Sequence, residues 1–190
     1  MYNAITDPYC YPGTTVLRNI PGITTQPALA RFEAIATAAR AEEPLPHGHL
    51  SVRHYRAIHR HLFQDVYAWA GRFRTVRIGK GGNAFCYPEH IAREMAILFA
   101  NLKQKRFLGG LSDNQFAREA ARFLSTLNAI HPFREGNGRT QTALLALIAN
   151  HAGHPLNLEK LNPVAFMAAM IASFRKNDTA LAREISYLIR

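Results

Sequence analysis

Cysteine is scarce: Cys10 and Cys86 are the only two in 190 residues, too few for a disulfide framework. Long apolar runs are missing as well. None approaches the roughly 18–20 residues needed to cross a bilayer, and the opening MYNAITDPYC lacks the basic-then-apolar order of a secretory signal. A soluble, cytoplasmic protein with no membrane partner is therefore expected. Acidic residues are the third shortage, with 13 Asp and Glu against 23 Lys and Arg, a formal net charge of +10. Such a surface attracts nucleotides, nucleic acid or an acidic protein, or is simply a solvated basic face. Repeats, linkers and low-complexity segments are absent too, so residues 1–190 read as a single domain with room for a sizeable core.

What is present is mostly helical periodicity. Pro27 suits the first turn of a helix reaching about Arg40, with Leu29, Phe32, Ile35 and Ala36 as its apolar face. A second helix is expected from Ser51 to Trp69, its stripe being Tyr55, Ile58, His59, Leu62, Phe63, Val66 and Tyr67, with Gly71 ending it. His47, His49, His54, His59 and His61 could form a metal cluster, but with no cysteine and few carboxylates nearby, capping and packing suit them better. A third helix runs from Pro88 to Arg106. A fourth is capped by Ser112 and carries Phe116, Ala120, Phe123, Leu124, Leu127 and Ile130 at intervals of three and four. Helices with Phe166, Met170, Ile171 and Phe174, then Leu181, Ile185 and Leu188, close the chain; Met167 and Met170 read as core. Between helices two and three, residues 72–87 alternate imperfectly and turn at GKGGN, which predicts one small hairpin. The cations Arg72, Arg74, Arg77 and Lys80 would bias it toward acidic segments, or merely guard a sheet edge. Residues 1–25, rich in Pro, Gly and Tyr, read as an extended arm.

The chemistry concentrates in His131 to Arg139, HPFREGNGR. Downstream, Ala143 to Ala149 is apolar all round, which suits a central buried helix. Two glycines and Asn137, a cap or turn residue, precede it and permit close approach of a ligand. Backbone N–H groups at such a helix mouth receive anions, and Arg139 adds a forked cation that matches phosphate oxygens. Glu135 makes sense beside phosphate if a hard divalent ion lies between them. His131 is then the group able to take a proton near neutral pH. These residue types spell a metal–nucleotide site with a general base.

The stretch resembles the signature of the Fic family, HxFx(D/E)GNGRxxR, matching every fixed position through Arg139. The lead-in DPYCYPGTTVLRN, Asp7 to Asn19, is similar to that of short bacterial Fic toxins. The resemblance implies a mainly α, Fic-type helical domain with one hairpin flap. It also implies an adenylyltransferase that moves AMP from ATP to a hydroxyl of a target protein. In that reading His131 (motif 131–142) deprotonates the hydroxyl and Glu135 holds Mg²⁺. Gly136, Asn137 and Gly138 cradle the phosphates, Arg139 binds them, and Phe133 anchors the loop. The flap residues Ile78, Gly79, Lys80, Gly81 and Gly82 would dock a target segment by strand addition.

One position departs from the pattern: its last arginine is Thr142 here. A charge-assisted phosphate contact is worth about 1.5–3 kcal/mol, so a reduced activity or a different donor, such as a diphosphate nucleotide, is the alternative reading. The family's inhibitory string (S/T)xxxE(G/N) is absent from the sequence, which implies a small antitoxin acting in trans. Type II topoisomerase subunits are targets that the resemblance suggests. A basic helical nucleic-acid-binding module is the alternative of another class. Its cations are scattered and no recognition motif occurs, so direct nucleic-acid binding is not expected.

Overall fold

The computed structural model describes residues 7–80, 83–174 and 177–189. The chain forms two compact units, Met1–Ile91 with Pro132–Thr140, and Ala92–His131 with Gln141–Arg190. Helices α3 (Pro88–Gln104) and α5 (Asn137–Ala152) contribute residues to both. Among the described residues the architecture is mainly α, as expected.

In the first unit the part of the arm within the described residues, 7–25, folds back on itself, and residues 1–6 of the expected arm lie outside them. Cys10 bridges Leu17, and Arg18 N–H donates to the Tyr9 carbonyl at 2.7 Å. The Asn19 side chain closes the next turn onto Leu17 and Ile23. Helix α1 (Gln26–Glu42) has Pro in its first turn, where no intrahelical N–H is needed. It buries Leu29 and Thr37 and packs on α2. Ile35, expected on the apolar face, is exposed. A polar residue takes part of the buried stripe instead, because the Thr37 hydroxyl donates to the Glu33 carbonyl and so enters the interior satisfied.

Helix α2 (Val52–Phe63) starts where the Ser51 hydroxyl accepts from His54 N–H. It stops six residues short of the expected Trp69. Val66 and Tyr67 N–H both fold onto the Phe63 carbonyl, and the Val66 carbonyl is taken by Ile20 N–H at 2.9 Å. A tertiary partner thus captures a group the helix would have used. Among the described residues the expected hairpin over 72–87 has strands only at β1 (Gly79–Lys80) and β2 (Asn83–Ala84), antiparallel, extended by one backbone bond from Phe85 N–H to the Ile78 carbonyl; residues 72–78 are irregular. Arg74, read from sequence as a surface cation, is 1% exposed. Its guanidinium donates to the carbonyls of Val76 at 2.6 Å and Cys86 at 2.5 Å and so staples the base of the hairpin.

In the second unit α4 (Asp113–Ile130) opens with Ser112 N–H on Gln115 Oε1. All six apolar residues expected on its inner face are buried. It packs against α6 (Pro163–Ser173) and α7 (Thr179–Leu188), while Phe99 of α3 meets Phe123 edge-on at 5.6 Å. On α5, Leu144, Leu145, Ile148 and Ala149 are buried. On α6 the apolar residues divide. Phe166 and Met170 face inward, whereas Met167 and Ile171, read as core, are 52% and 56% exposed. An 11-residue helix of nearly uniform apolarity carries no sequence signal for which stripe is inside.

Truncating Leu124, fully buried on α4, to Ala should cost about 2–5 kcal/mol. Ile171→Ala should stay within about 0.5 kcal/mol. Urea denaturation of the two variants checks this; equal losses would contradict the assigned helix faces.

Candidate active site

Helix α4 ends at Ile130. His131 follows as its C-cap in the left-handed region (φ 48°, ψ 62°), its N–H donating to the Leu127 carbonyl at 3.0 Å. Pro132 cannot prolong the helix, so a loop begins. Four residues later Gly136 turns into α5 at φ 80°. Glycine is required there twice over, since a Cβ would run into the Phe63 ring. Of the two roles the sequence offered Asn137, cap or turn residue, the structure shows the second. Its buried amide closes the loop: Oδ1 accepts from Phe133 N–H at 3.0 Å and Nδ2 donates to the Phe133 carbonyl at 2.9 Å. Thr140 N–H and hydroxyl both reach the Gly136 carbonyl and finish the first turn.

Three further holds fix this loop within the first unit. His59 of α2 is fully buried, with Nε2 donating to the Glu135 carbonyl at 3.0 Å and Nδ1 accepting from Gly71 N–H at 2.8 Å. Those partners define a neutral ring protonated on Nε2. It stacks on Phe133 at 3.8 Å and on Phe63 at 4.7 Å. Gly71, which was expected to end α2, instead turns back across it at φ 78°. The second hold is an ion pair of low exposure: Arg134 Nη2 lies 2.7 Å from Asp7 Oδ2, the side chains being 7% and 11% exposed. Removing one partner of such a pair leaves the other charge uncompensated, at about 3–5 kcal/mol. The third is Arg74 N–H on the Pro132 carbonyl at 2.9 Å.

With its backbone tied down, the loop presents Glu135, Gly138 and Arg139 outward. Glu135 Oε1 accepts from Gly136 N–H at 2.9 Å, so an oxyanion already rests on an N–H at the mouth of α5. The Arg139 guanidinium lies over the Phe63 ring, 4.6 Å from its centroid, and pairs with Glu33 of α1. Thr142, half-buried, sits one turn into α5. Ile78 is buried and offers a backbone carbonyl to Phe85 N–H, Gly79 and Lys80 form β1, and Gly81 and Gly82 lie outside the described residues. Of the histidines, His54, His59 and His61 are each engaged with backbone carbonyls. Among the described residues no group of three or more His, Cys, Asp or Glu could hold a metal ion.

Several of these residues escaped sequence reasoning. Arg134 occupies a free position of the motif, and Asp7 belongs to an arm that carried no chemical signal. His59 appeared only as one member of a stripe and of a histidine group better suited to capping and packing. The available clue was a polar residue on a face otherwise filled by Tyr55, Ile58, Leu62 and Phe63.

Burial holds the His59 imidazole well below its ordinary value, at about 4. Between that value and the unfolded one near 6.5 the unfolded chain binds more protons, so stability is complete above pH ~6.5 and falls as pH drops toward 4, by up to about 3 kcal/mol. In His59→Gln, which cannot titrate, this component is missing. The stability gap between the native chain and the variant should therefore narrow by about that amount from pH ~7 to pH ~4, as read by urea denaturation at each pH. A gap independent of pH would show that this ring does not titrate as described.

A family model of the Fic/DOC family matches residues 49–149, just over half of the chain. The protein named Probable protein adenylyltransferase y4lH of Sinorhizobium fredii is 51% identical over 189 residues, covering 99% of this chain and 98% of its own. Among solved structures, the BepC effector of Bartonella tribocorum with bound AMPPNP superposes with a TM-score of 0.84 at 26% identity, covering 96% of both chains. The N-terminal Fic domain of a Bartonella quintana effector with bound ADP gives 0.85 at 27% identity, over 96% of this chain and 94% of that one. The chain belongs to the Fic/DOC family and is a nucleotidyltransferase.

Proposed function

We propose that the chain, acting as one Fic domain, transfers AMP from ATP to a hydroxyl side chain of a cytoplasmic protein. The observation that carries this reading is the loop from Pro132 to Gly136, whose buried groups hold its backbone while Glu135 and Arg139 are left exposed at the start of α5. His131, at the junction of α4 and this loop, takes the proton of the target hydroxyl. The freed oxygen attacks the α-phosphorus, the bond to the bridging β-phosphate oxygen breaks, and pyrophosphate leaves. Backbone N–H groups of Asn137 and Gly138 and the Arg139 guanidinium take the phosphates, and the Gly136 N–H joins them once Glu135 Oε1 releases it. The Asn137 side chain is already committed to Phe133, so its contribution is its backbone. Solved relatives with AMPPNP and ADP support a nucleotide substrate.

Glu135 fits Mg²⁺ as a lone exposed carboxylate, since this ion is commonly held by one or two carboxylates together with substrate phosphates and water. When bound there, the ion would neutralise charge on the phosphates and on the departing pyrophosphate. Ile78, Gly79 and Lys80 form the edge to which an extended target segment adds, and type II topoisomerase subunits are the target class that the family resemblance favours. No helix among the described residues is long and apolar enough to cross a membrane. The absence of the string (S/T)xxxE(G/N) supports restraint in trans by a small antitoxin protein. The chain would then be the toxin of such a pair.

With α-labelled ATP, Mg²⁺ and a cell lysate, the native chain should label a protein band, and His131→Ala should weaken the label by about 10²-fold or more. A band that persists in this variant removes His131 from its role. Thr142→Arg should tighten ATP binding roughly 10- to 100-fold by calorimetry; unchanged affinity would show that position 142 does not face the terminal phosphates.

A further inference from the structure

Glu33 lies on α1, outside the motif, and nothing in the family pattern assigns it a role. Its side chain is 13% exposed. Oε1 accepts from Arg139 Nη2, and Oε2 accepts from the hydroxyl of Tyr67, itself 2% exposed. Burial and the neighbouring carboxylate raise the Tyr67 phenol, so it remains a donor. One turn along α1, on the same face, the Thr37 hydroxyl donates to the Glu33 carbonyl at 2.7 Å and accepts from Arg139 Nη1 at 3.0 Å. The guanidinium is thus held at two nitrogens along one edge, with its flat face over Phe63.

We propose that Glu33, set by Tyr67 and Thr37, is a positioning residue that presents Arg139 to the phosphates of the nucleotide. The inference rests on the reading of Arg139 as a phosphate contact. A guanidinium carries five N–H donors; Glu33 and Thr37 occupy two, and three are left for a ligand. The rotamer freedom of a long side chain has been removed by folding, so binding does not have to remove it. Thr142 supplies no charge at the motif's last position, so phosphate affinity depends the more on how Arg139 is offered. A carboxylate that competed with phosphate would have to release its buried tyrosine or let Arg139 swing off Phe63.

Calorimetry on the full chain with AMPPNP and Mg²⁺, and separately with adenosine, tests this. Glu33→Gln keeps the shape and loses the charge. It should weaken AMPPNP roughly 10-fold and leave adenosine unchanged. Arg139→Ala should weaken AMPPNP at least as much, and the double variant should bind no more weakly than Arg139→Ala alone. Tyr67→Phe, which loses only the hydroxyl behind Glu33, should weaken AMPPNP about 3-fold and provides the test should Glu33→Gln not fold. If Arg139→Ala loses AMPPNP while Glu33→Gln binds it equally or more tightly, Glu33 does not position the arginine. A parallel loss of adenosine and AMPPNP in Glu33→Gln would overturn the proposal as well. An Arg139→Ala variant with full AMPPNP affinity would overturn the phosphate reading itself, and this inference with it.

Discussion

The motif loop depends on one neutral imidazole. His59 receives an N–H from Gly71 and gives one to the carbonyl of Glu135, and two aromatic rings enclose it. A second ring proton, on Nδ1, would face the Gly71 N–H, itself a donor, so burial and hydrogen bonding both favour the uncharged form. Through this group the backbone at position 135 is bound to α2 rather than hanging from its own two ends. Phe63 extends the same arrangement. Its ring stacks on His59, lies where a side chain at Gly136 would have to be, and supports the guanidinium of Arg139.

The distribution of cations follows from desolvation. A charged group enters the interior only with its hydrogen bonds satisfied. Arg134 does so against Asp7, and Arg74 against two carbonyls. Both shape the surroundings of the loop. The Arg134–Asp7 pair is neutral and adds nothing to the formal +10, whereas Arg74 counts toward it while lying out of a ligand's reach. Arg139 is intermediate: paired with Glu33 along one edge yet 42% exposed, it is rigid without being consumed.

Helix faces were legible where apolar residues recur at a fixed period among polar ones. On α4 every expected inward residue is buried. Legibility failed on α1 and α6 for opposite reasons. Thr37 could be buried because its hydroxyl is satisfied within its own helix, so polarity misled. On α6 apolarity is nearly uniform, so no period distinguishes Phe166 from Met167. The end of α2 was illegible because Ile20, more than forty residues upstream, takes the Val66 carbonyl.

By itself the sequence determined the helical class, the position of the motif loop between two helices, and the residue types able to handle phosphate, a hard cation and a proton. Each of these is local, carried by periodicity or by neighbours in the chain. Only the tertiary structure decided that His59, Asp7 and Glu33 serve that loop, and that the Asn137 amide closes it. Their partners lie four to 127 residues away, and a hydrogen bond between distant groups leaves no trace in the order of residues, because each side chain by itself has many ways to be satisfied.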